Sequence, residues 1–106
     1  MTELAKRAVA CRGWRWMPGM LAADTGLRLD EMTTDWEGTL PDLSDPATAG
    51  CLLALVREAW DDPVAHCEEL FRRISGDWAV FDRTGSLVAK GATEAEALVA
   101  ALEAAP

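Results

Sequence analysis

The residue types best suited to chemistry stand together at His66 and Cys67, which Glu68 and Glu69 follow. A histidine and a cysteine are the partners of a nucleophilic site, but adjacent side chains diverge on a helix and lie on opposite faces of a strand. His66 is the only histidine in the chain, and no C-x-x-C pair accompanies it, so a structural zinc site lacks ligands at usable spacing. We therefore expect His66 to be a solvated residue of a loop or helix edge.

Asp61 and Asp62 come closest to a paired-carboxylate motif. Adjacent aspartates at the end of a helix do not converge on one point, and the helix dipole disfavours them there. The chain also lacks a phosphate-binding glycine loop, a G-x-S-x-G motif and a dinucleotide-binding fingerprint. We therefore predict no catalytic residue, no metal site and no cofactor. A small metal-dependent enzyme is the alternative, and it requires Asp61, Asp62, Glu68 and Glu69 to cluster.

One segment places basic residues between aromatic ones, namely Arg12, Trp14, Arg15 and Trp16. This composition is used for stacking on single-stranded bases, so the cluster is an alternative binding site for a nucleotide or nucleic acid. Alternation puts Trp14 and Trp16 on the same face of an extended segment, where both can instead cover the sheet or the first helix. Tryptophan is seldom fully buried, and with five tryptophans in 106 residues we expect one or two to be partly exposed.

The net charge of −8 is unevenly distributed: residues 1–20 carry +3 and residues 21–71 carry −10. Strong acidity argues against a dedicated nucleic-acid binder, because neutralisation of phosphates supplies most non-specific affinity. Most acidic runs only make a protein soluble. The alternative is a surface that imitates the phosphate field of nucleic acid and docks on a basic partner.

Trp36, between Asp35 and Glu37, is the best candidate for an exposed anchor of such a surface, because no periodic pattern assigns it to the core. The predicted partner-binding residues are Asp30, Glu31, Asp35, Trp36, Glu37, Asp42, Asp61 and Asp62.

Apolar periodicity, capping residues and turns predict eight elements. They are, in chain order, a helix from Thr2, a hairpin of residues 20–23 and 27–32, a helix from Pro46 capped by Ser44 or Asp45, a helix or ragged strand over 64–71, a hairpin of residues 77–81 and 86–89, and a helix capped by Thr93. The helix from Pro46 is apolar almost all round, so we expect it to be the central buried one. The order α-β-β-α-(α)-β-β-α predicts an α+β fold in a single domain, residues 1–106, with a small, mostly antiparallel sheet packed by helices.

The three cysteines, Cys11, Cys51 and Cys67, are an odd number at wide spacing, which favours reduced, buried thiols over disulfides. The N-terminus lacks the pattern of a signal peptide, and no run of about 18 apolar residues is present. We therefore expect a cytoplasmic protein with no membrane partner. A small open sheet also makes homodimerisation through an edge strand possible.

Several segments resemble small uncharacterised proteins encoded by tailed bacteriophages and prophages. These segments are WRWMPGM at residues 14–20, LPDLSDPAT at 40–48, GCLLALVREAW at 50–60 and GATEAEAL at 91–98. The strand, turn, strand and helix of the last 30 residues also look like the phage α-β-α sandwich domain. The resemblance covers much of the chain and is weakest over residues 21–39. That family has no established catalytic residues to carry over.

The resemblance implies a phage-encoded protein that acts in the cytoplasm of the bacterial host. Small acidic phage proteins without catalytic apparatus often bind a host machine, and anti-CRISPR proteins and other anti-defence inhibitors form the obvious class. The leading hypothesis is a non-catalytic inhibitor that binds a host defence complex, or another nucleic-acid-handling protein complex, through its acidic, tryptophan-containing surface. The alternatives are a nucleotide- or nucleic-acid-binding module and a phage accessory protein of another role, although direct nucleic-acid binding conflicts with the overall charge.

Overall fold

The computed structural model describes residues 2–29, 39–70 and 77–106. These residues form three helices and a three-stranded antiparallel sheet: α1 (Thr2–Val9), α2 (Pro46–Ala59), β1 (His66–Glu69), β2 (Trp78–Phe81), β3 (Leu87–Gly91) and α3 (Glu94–Ala104). The predicted α+β class, with a small antiparallel sheet packed by helices, is confirmed. Within the described ranges, none of the helices has the length and apolar content needed to cross a membrane.

The sheet has the strand order β1-β2-β3, so β2 is its central strand. Cys67, Val80 and Ala89 are cross-strand partners, and all three contact the hydrophobic core. Side chains alternate between the two faces of a strand, so the neighbouring rows of residues lie on the outer face. The predicted turn between β2 and β3 is present, since the Asp82 carboxylate accepts hydrogen bonds from the backbone N–H groups of Thr84 and Ser86.

The central element of the fold is α3, which contacts all three strands as well as α1 and α2. Six of its eleven residues are buried, namely Ala95, Ala97, Leu98, Val99, Ala101 and Leu102. Three of these are alanines, and their small side chains let other elements approach the helix closely on more than one side. The prediction that α2 is the central helix is therefore wrong: one side of α2 faces solvent at Gly50 and Glu58, while Leu52, Leu55 and Val56 pack inward.

Two predicted elements take a different form in the structure. Residues 66–69, for which helix and strand were both open, form β1, because pairing with β2 and stacking of His66 on Phe81 determine the local conformation. The first hairpin is reduced to a few backbone hydrogen bonds, among them Leu29 N–H to the Met20 carbonyl and Ala22 N–H to the Leu27 carbonyl. Isolated bridges also join Leu21 to Arg28 and Ala22 to Pro41. The last part of its predicted return strand, residues 30–32, lies outside the described residues.

Gly91 is the point where β3 passes closest to α3. A Cβ atom at this position would lie 2.5 Å from the backbone nitrogen of Ala97 and 2.6 Å from Cβ of Glu96. We predict that Gly91→Ala lowers the free energy of unfolding by at least about 2 kcal/mol, because the clash is with backbone that cannot move aside. Chemical denaturation of the two proteins measures the difference.

Gly50→Ala is the matched control for this substitution. Gly50 lies inside α2, and a Cβ atom there meets nothing within 4 Å. The control variant should gain about 0.5 to 1 kcal/mol of stability through helix propensity. Equal stability of the two variants would contradict the close approach at Gly91.

Candidate functional site

The predicted acidic surface is described only in part by the structure. Five of its eight residues, Asp30, Glu31, Asp35, Trp36 and Glu37, lie outside the described residues. Asp42, Asp61 and Asp62 are described, and they lie at the two ends of α2. The 14 residues of this helix span about 21 Å at about 1.5 Å per residue, so Asp42 is well separated from Asp61 and Asp62.

Asp42 is half-buried in the turn that precedes α2. Its carboxylate accepts hydrogen bonds from the backbone N–H of Ser44 at 3.0 Å and from the Ser44 hydroxyl at 2.6 Å. This is the local bonding of an Asx turn, which aligns the chain for the start of a helix. Much of the hydrogen-bonding capacity of Asp42 is therefore used within its own loop.

Asp62 is a structural acceptor at the other end of α2. The residue is only 4% exposed, and its carboxylate accepts hydrogen bonds from the backbone N–H groups of Val64 at 3.1 Å and Arg83 at 2.8 Å. The Arg83 guanidinium lies 3.7 Å away and also donates to the carbonyl of Asp61. Asp62 thus connects the end of α2 to the turn between β2 and β3. Asp61 is exposed and has the left-handed φ of 49°, an uncommon conformation that aspartate tolerates better than most residues.

The four carboxylates that a metal-dependent enzyme would need do not meet. Glu68 and Glu69 are consecutive residues of β1, so their side chains point to opposite faces of the sheet. Asp62 is directed into its hydrogen bonds with the β2–β3 turn. Among the described residues, no three His, Cys, Asp or Glu side chains come together in a way that could hold a metal ion.

The aromatic and basic cluster near the N-terminus is tied to the core. Trp14 and Trp16 are both half-buried, pack against the core, and contact each other edge to face with ring centroids 5.6 Å apart. The Trp14 Nε1 atom is buried and has no hydrogen-bond partner among the described residues. Arg15 forms a 2.5 Å ion pair with Glu58 of α2. Arg12 is therefore the member of this cluster with the most freedom to contact another molecule.

Arg12 borders an open cleft of about 590 Å³ between the end of α1 and the end of α3. Arg7 and Glu103 form a two-point ion pair at the wall of the cleft, with Nε–Oε2 and Nη2–Oε1 distances of 3.1 and 2.6 Å. The hydrogen bonds between them raise the pKa of Arg7 and lower the pKa of Glu103. Cys11 also lines the cleft, and burial raises the pKa of its thiol.

All three cysteines are free thiols. Burial is the main cause that raises the pKa of Cys11, of Cys51 and of Cys67, the last to about 11. A nucleophilic cysteine needs the opposite shift, since the thiolate is the reactive form. The environment of these residues is that of small core hydrophobes rather than of reactive thiols.

A network around Asp45 fixes the start of α2. Asp45 caps the helix by accepting a hydrogen bond from the backbone N–H of Thr48 at 2.9 Å. Arg28 donates to both of its oxygens, at 2.8 and 3.1 Å, and also to the carbonyl of Gly19. The buried Thr48 hydroxyl in turn accepts from the backbone N–H of Leu21. This network joins α2 to the loop of residues 19–28.

Sequence reasoning named Asp45 as one of two possible caps but missed Arg28 as its partner. The available signal was charge spacing, because Arg28 is the only basic residue between positions 16 and 56. A single basic residue within such an acidic stretch is expected to form an ion pair with one of the nearby carboxylates.

Ion pairing leaves an excess of acidic side chains. Within the described ranges, five basic residues are each paired with an acid, namely Lys6, Arg7, Arg15, Arg28 and Arg83. The exposed acids without an ion pair in the same ranges are Asp24, Asp61, Glu68 and Glu69. The described surface that is open to a partner is therefore mainly negative.

We predict that Asp62→Ala lowers the free energy of unfolding by about 1 to 2 kcal/mol, because it leaves the partly buried N–H groups of Val64 and Arg83 without their acceptor. Asp61→Asn is the matched control, since asparagine tolerates the left-handed conformation and no hydrogen bond to the Asp61 carboxylate is found among the described residues. Thermal or chemical denaturation gives both values. A similarly small loss for both variants would instead place Asp62 among residues that are free to bind a partner.

The ion pair with Arg28 lowers the pKa of Asp45, so this carboxylate stabilises the fold fully above the ordinary carboxyl pKa of about 4, and its contribution decreases as the pH falls below that value. We predict that wild type is more stable than Asp45→Asn at neutral pH and that the difference shrinks steadily between pH 5 and pH 2. Denaturant titrations across this range measure it. Asp24→Asn, which removes an exposed carboxylate that is not ion-paired in the described part, should show no such convergence, and a constant gap for Asp45→Asn would contradict the network.

No protein-family model, no curated protein and no solved structure matches this chain.

Proposed function

We propose that this protein is a non-catalytic, phage-encoded inhibitor that binds a defence complex in the cytoplasm of the bacterial host. Its acidic surface would cover a basic surface on which the complex binds nucleic acid. The proposal combines the segments that resemble phage proteins with the charge distribution of the folded chain. The partner-binding surface is centred on residues 30–42, with Trp36 as its apolar anchor.

The observation that carries the proposal is that several basic side chains form ion pairs with acids of the same chain. Arg28 is bound to Asp45, Arg15 to Glu58 and Arg83 to Asp62, so these cations neutralise structural acids. The acids Asp61, Glu68 and Glu69 are exposed and without an ion pair in the described part. A negative field of this kind attracts a basic partner over a distance of about 8 to 10 Å at moderate salt.

A binding role also agrees with the state of the reactive groups. The three thiols have raised pKa values, and Asp62 is committed to backbone N–H groups. A binding role needs no reactive group, since charge and shape complementarity provide specificity and a fast association rate. Such an inhibitor acts in one-to-one proportion with its target.

One observation favours a second candidate, the nucleotide-binding alternative. Arg12 is exposed, borders the cleft of about 590 Å³ and forms no ion pair in the described part of the chain. Arg12→Ala separates the two candidates, because it should abolish oligonucleotide binding at low salt if the cleft is the site and should leave the inhibition of a defence complex unchanged.

We predict that expression of the protein in a bacterium with an active CRISPR system raises the plating efficiency of a targeted phage by at least about tenfold. Asp35→Asn/Glu37→Gln and Trp36→Ala should each remove most of this effect, because they weaken the charge and the anchor of the proposed surface. The measurement is plaque counting, paired with titration of the purified protein on the effector complex at several salt concentrations. Binding should weaken steeply as salt increases.

The matched control is Glu3→Gln/Asp24→Asn, which removes the same number of negative charges from exposed positions outside the proposed surface. It should retain the effect on plating. Equal loss in both double variants would mean that total charge matters rather than this surface. The same assay in strains with other defence systems extends the search for the target, and no protection in any of them would overturn the proposal.

A further inference from the structure

The cleft between the ends of α1 and α3 has the size of a small-molecule site. Its volume of about 590 Å³ falls within the range of about 300 to 1,000 Å³ that is usual for such sites. Its walls come from the segments of residues 7–13 and 102–106 and from Ala59 at the end of α2. Gly13 brings the first segment close to the others, since a Cβ atom there would lie 3.0 Å from Cδ1 of Leu102. Tertiary contacts therefore determine the shape of the cleft.

Both arginines of the cleft keep hydrogen-bond donors for a ligand. Arg7 binds Glu103 through Nε and Nη2, and a guanidinium has five N–H donors, so the remaining three, which include both on Nη1, are unused in the described part. The Arg7 side chain is 51% exposed. Arg12 is exposed and forms no ion pair in the same ranges. An anion can therefore be bound here while the Arg7–Glu103 pair stays intact.

The charged side chains of the cleft differ from those of the mainly negative described surface. Two guanidinium groups and one carboxylate, that of Glu103, line the cleft. The Cys11 thiol adds no negative charge, because burial raises its pKa. In a chain with a net charge of −8, an anion is repelled by most of the described surface and attracted to the two arginines.

The helix ends at the cleft carry less negative charge than uncapped ends would. Carbonyl groups without hydrogen-bond partners give a helix C-terminus its partial negative charge. Here two carbonyls of α1 accept hydrogen bonds from Cys11, and three of α2 accept them from the N–H groups of residues 60–62. Two carbonyls of α3 accept from Trp60 Nε1 and from the Ala105 N–H. These ends therefore offset only part of the charge of the two arginines.

A phosphate monoester matches these donors better than a carboxylate or a phosphodiester. Its three terminal oxygens can accept hydrogen bonds from two guanidinium groups at once, whereas the other two groups each offer only two such oxygens. Its charge of about −1.5 to −2 at neutral pH also matches two arginines. A longer nucleic acid would bring further phosphates next to the acidic side chains of the described surface, which disfavours its binding.

The other side chains of the cleft are small and apolar, namely Ala10, Ala59, Leu102, Ala105 and Pro106. None of the described residues that line it is aromatic, because Trp14 and Trp16 pack against the core instead. A flat apolar group can lie on the methyl and ring CH groups of this wall. A polar body would find few hydrogen-bonding side chains there.

We propose that the cleft binds a small phosphate monoester with a flat apolar body, and that a nucleoside monophosphate is a ligand of this kind. The phosphate lies at Arg12 and the free donors of Arg7, and the base lies on the alanine and proline side chains. This inference rests on the second candidate function, nucleotide binding, and narrows its ligand from an oligonucleotide to a single nucleotide.

Titration of the ¹⁵N-labelled full chain with adenosine 5′-monophosphate at low salt, followed by NMR, tests the proposal. The amide signals of Gly13 and Ala105, which line the cleft, should shift with a dissociation constant of about 0.1 to 1 mM, because an open cleft leaves part of the ligand in water. Adenosine and inorganic phosphate each lack part of the contacts and should bind at least about tenfold more weakly.

Arg12→Ala should weaken the binding of adenosine 5′-monophosphate at least about tenfold. Arg12→Lys should restore only part of it, because lysine keeps the charge but lacks the planar fork of donors. Lys90→Ala is the matched control, since it removes one positive charge from an exposed position on β3, outside the cleft. It should bind like wild type, and circular dichroism should show that all three variants are folded.

The proposal is overturned if adenosine 5′-monophosphate shifts no amide of the cleft up to about 10 mM, if inorganic phosphate binds equally well, or if Arg12→Ala binds like wild type. An oligonucleotide with a 5′-hydroxyl end carries only phosphodiesters and should bind more weakly than the mononucleotide. If it binds more tightly at the same amides, the second candidate function stands and this narrower inference fails. The inhibitor proposal is tested separately by its own plating assay.

Discussion

The fold depends on how closely α3 can be approached from both sides. The sheet packs on one side of this helix and α1 and α2 pack on the other, so a single helix supplies the centre of the hydrophobic core. Small residues make this possible: Gly91 lets β3 pass next to the backbone at Ala97, and Gly13 brings the chain against Leu102 and Ala59. Larger side chains at these points would separate the layers and leave space in the core.

Ion pairs at the surface of the protein add to this packing. The pairs Arg7–Glu103, Arg15–Glu58, Arg28–Asp45 and Arg83–Asp62 each join segments that are distant in the chain. In each of them a basic residue is used for the fold, which is how a chain with ten basic residues still presents a mainly negative described surface. Stability and surface charge are therefore linked, because an added acid that competed for one of these arginines would weaken a tertiary contact.

The parts of the fold with local causes could be predicted from the sequence. The caps at Asp45 and Thr93, the helix from Pro46 and the hairpin turn at Asp82 follow from residue types over a few positions, and the structure contains them. The strand at residues 66–69 could not be assigned, because its conformation comes from pairing with β2. The prediction that α2 is the central helix failed for a similar reason. An apolar sequence indicates that a helix is buried, but it does not indicate which helix the other elements pack against.

The same distinction applies to the candidate site. Sequence reasoning treated Asp42 and Asp62 as free surface charges. In the structure, Asp42 accepts hydrogen bonds from Ser44, and Asp62 accepts them from Val64 in its own loop and from Arg83 in the β2–β3 turn. A charge pattern counts carboxylates but does not show which of them are already satisfied. Trp14 and Trp16 are likewise less available for stacking on bases than their sequence pattern suggests, because both rings pack partly against the hydrophobic core. The role of residues 30–38 lies outside the described residues and stays a prediction.

The contact of α1 with α3 also bears on how the protein is made. α1 is synthesised well before α3, the helix that it contacts, and Arg7 pairs with a residue 96 positions later. By contrast, β2, β3 and α3 are consecutive and contact each other locally. Local contacts close quickly, whereas distant ones carry a larger entropic cost. During translation the apolar faces of α1 and α2 therefore stay exposed until α3 has been synthesised. The apolar face of α2 is the surface to which a chaperone would bind on the nascent chain.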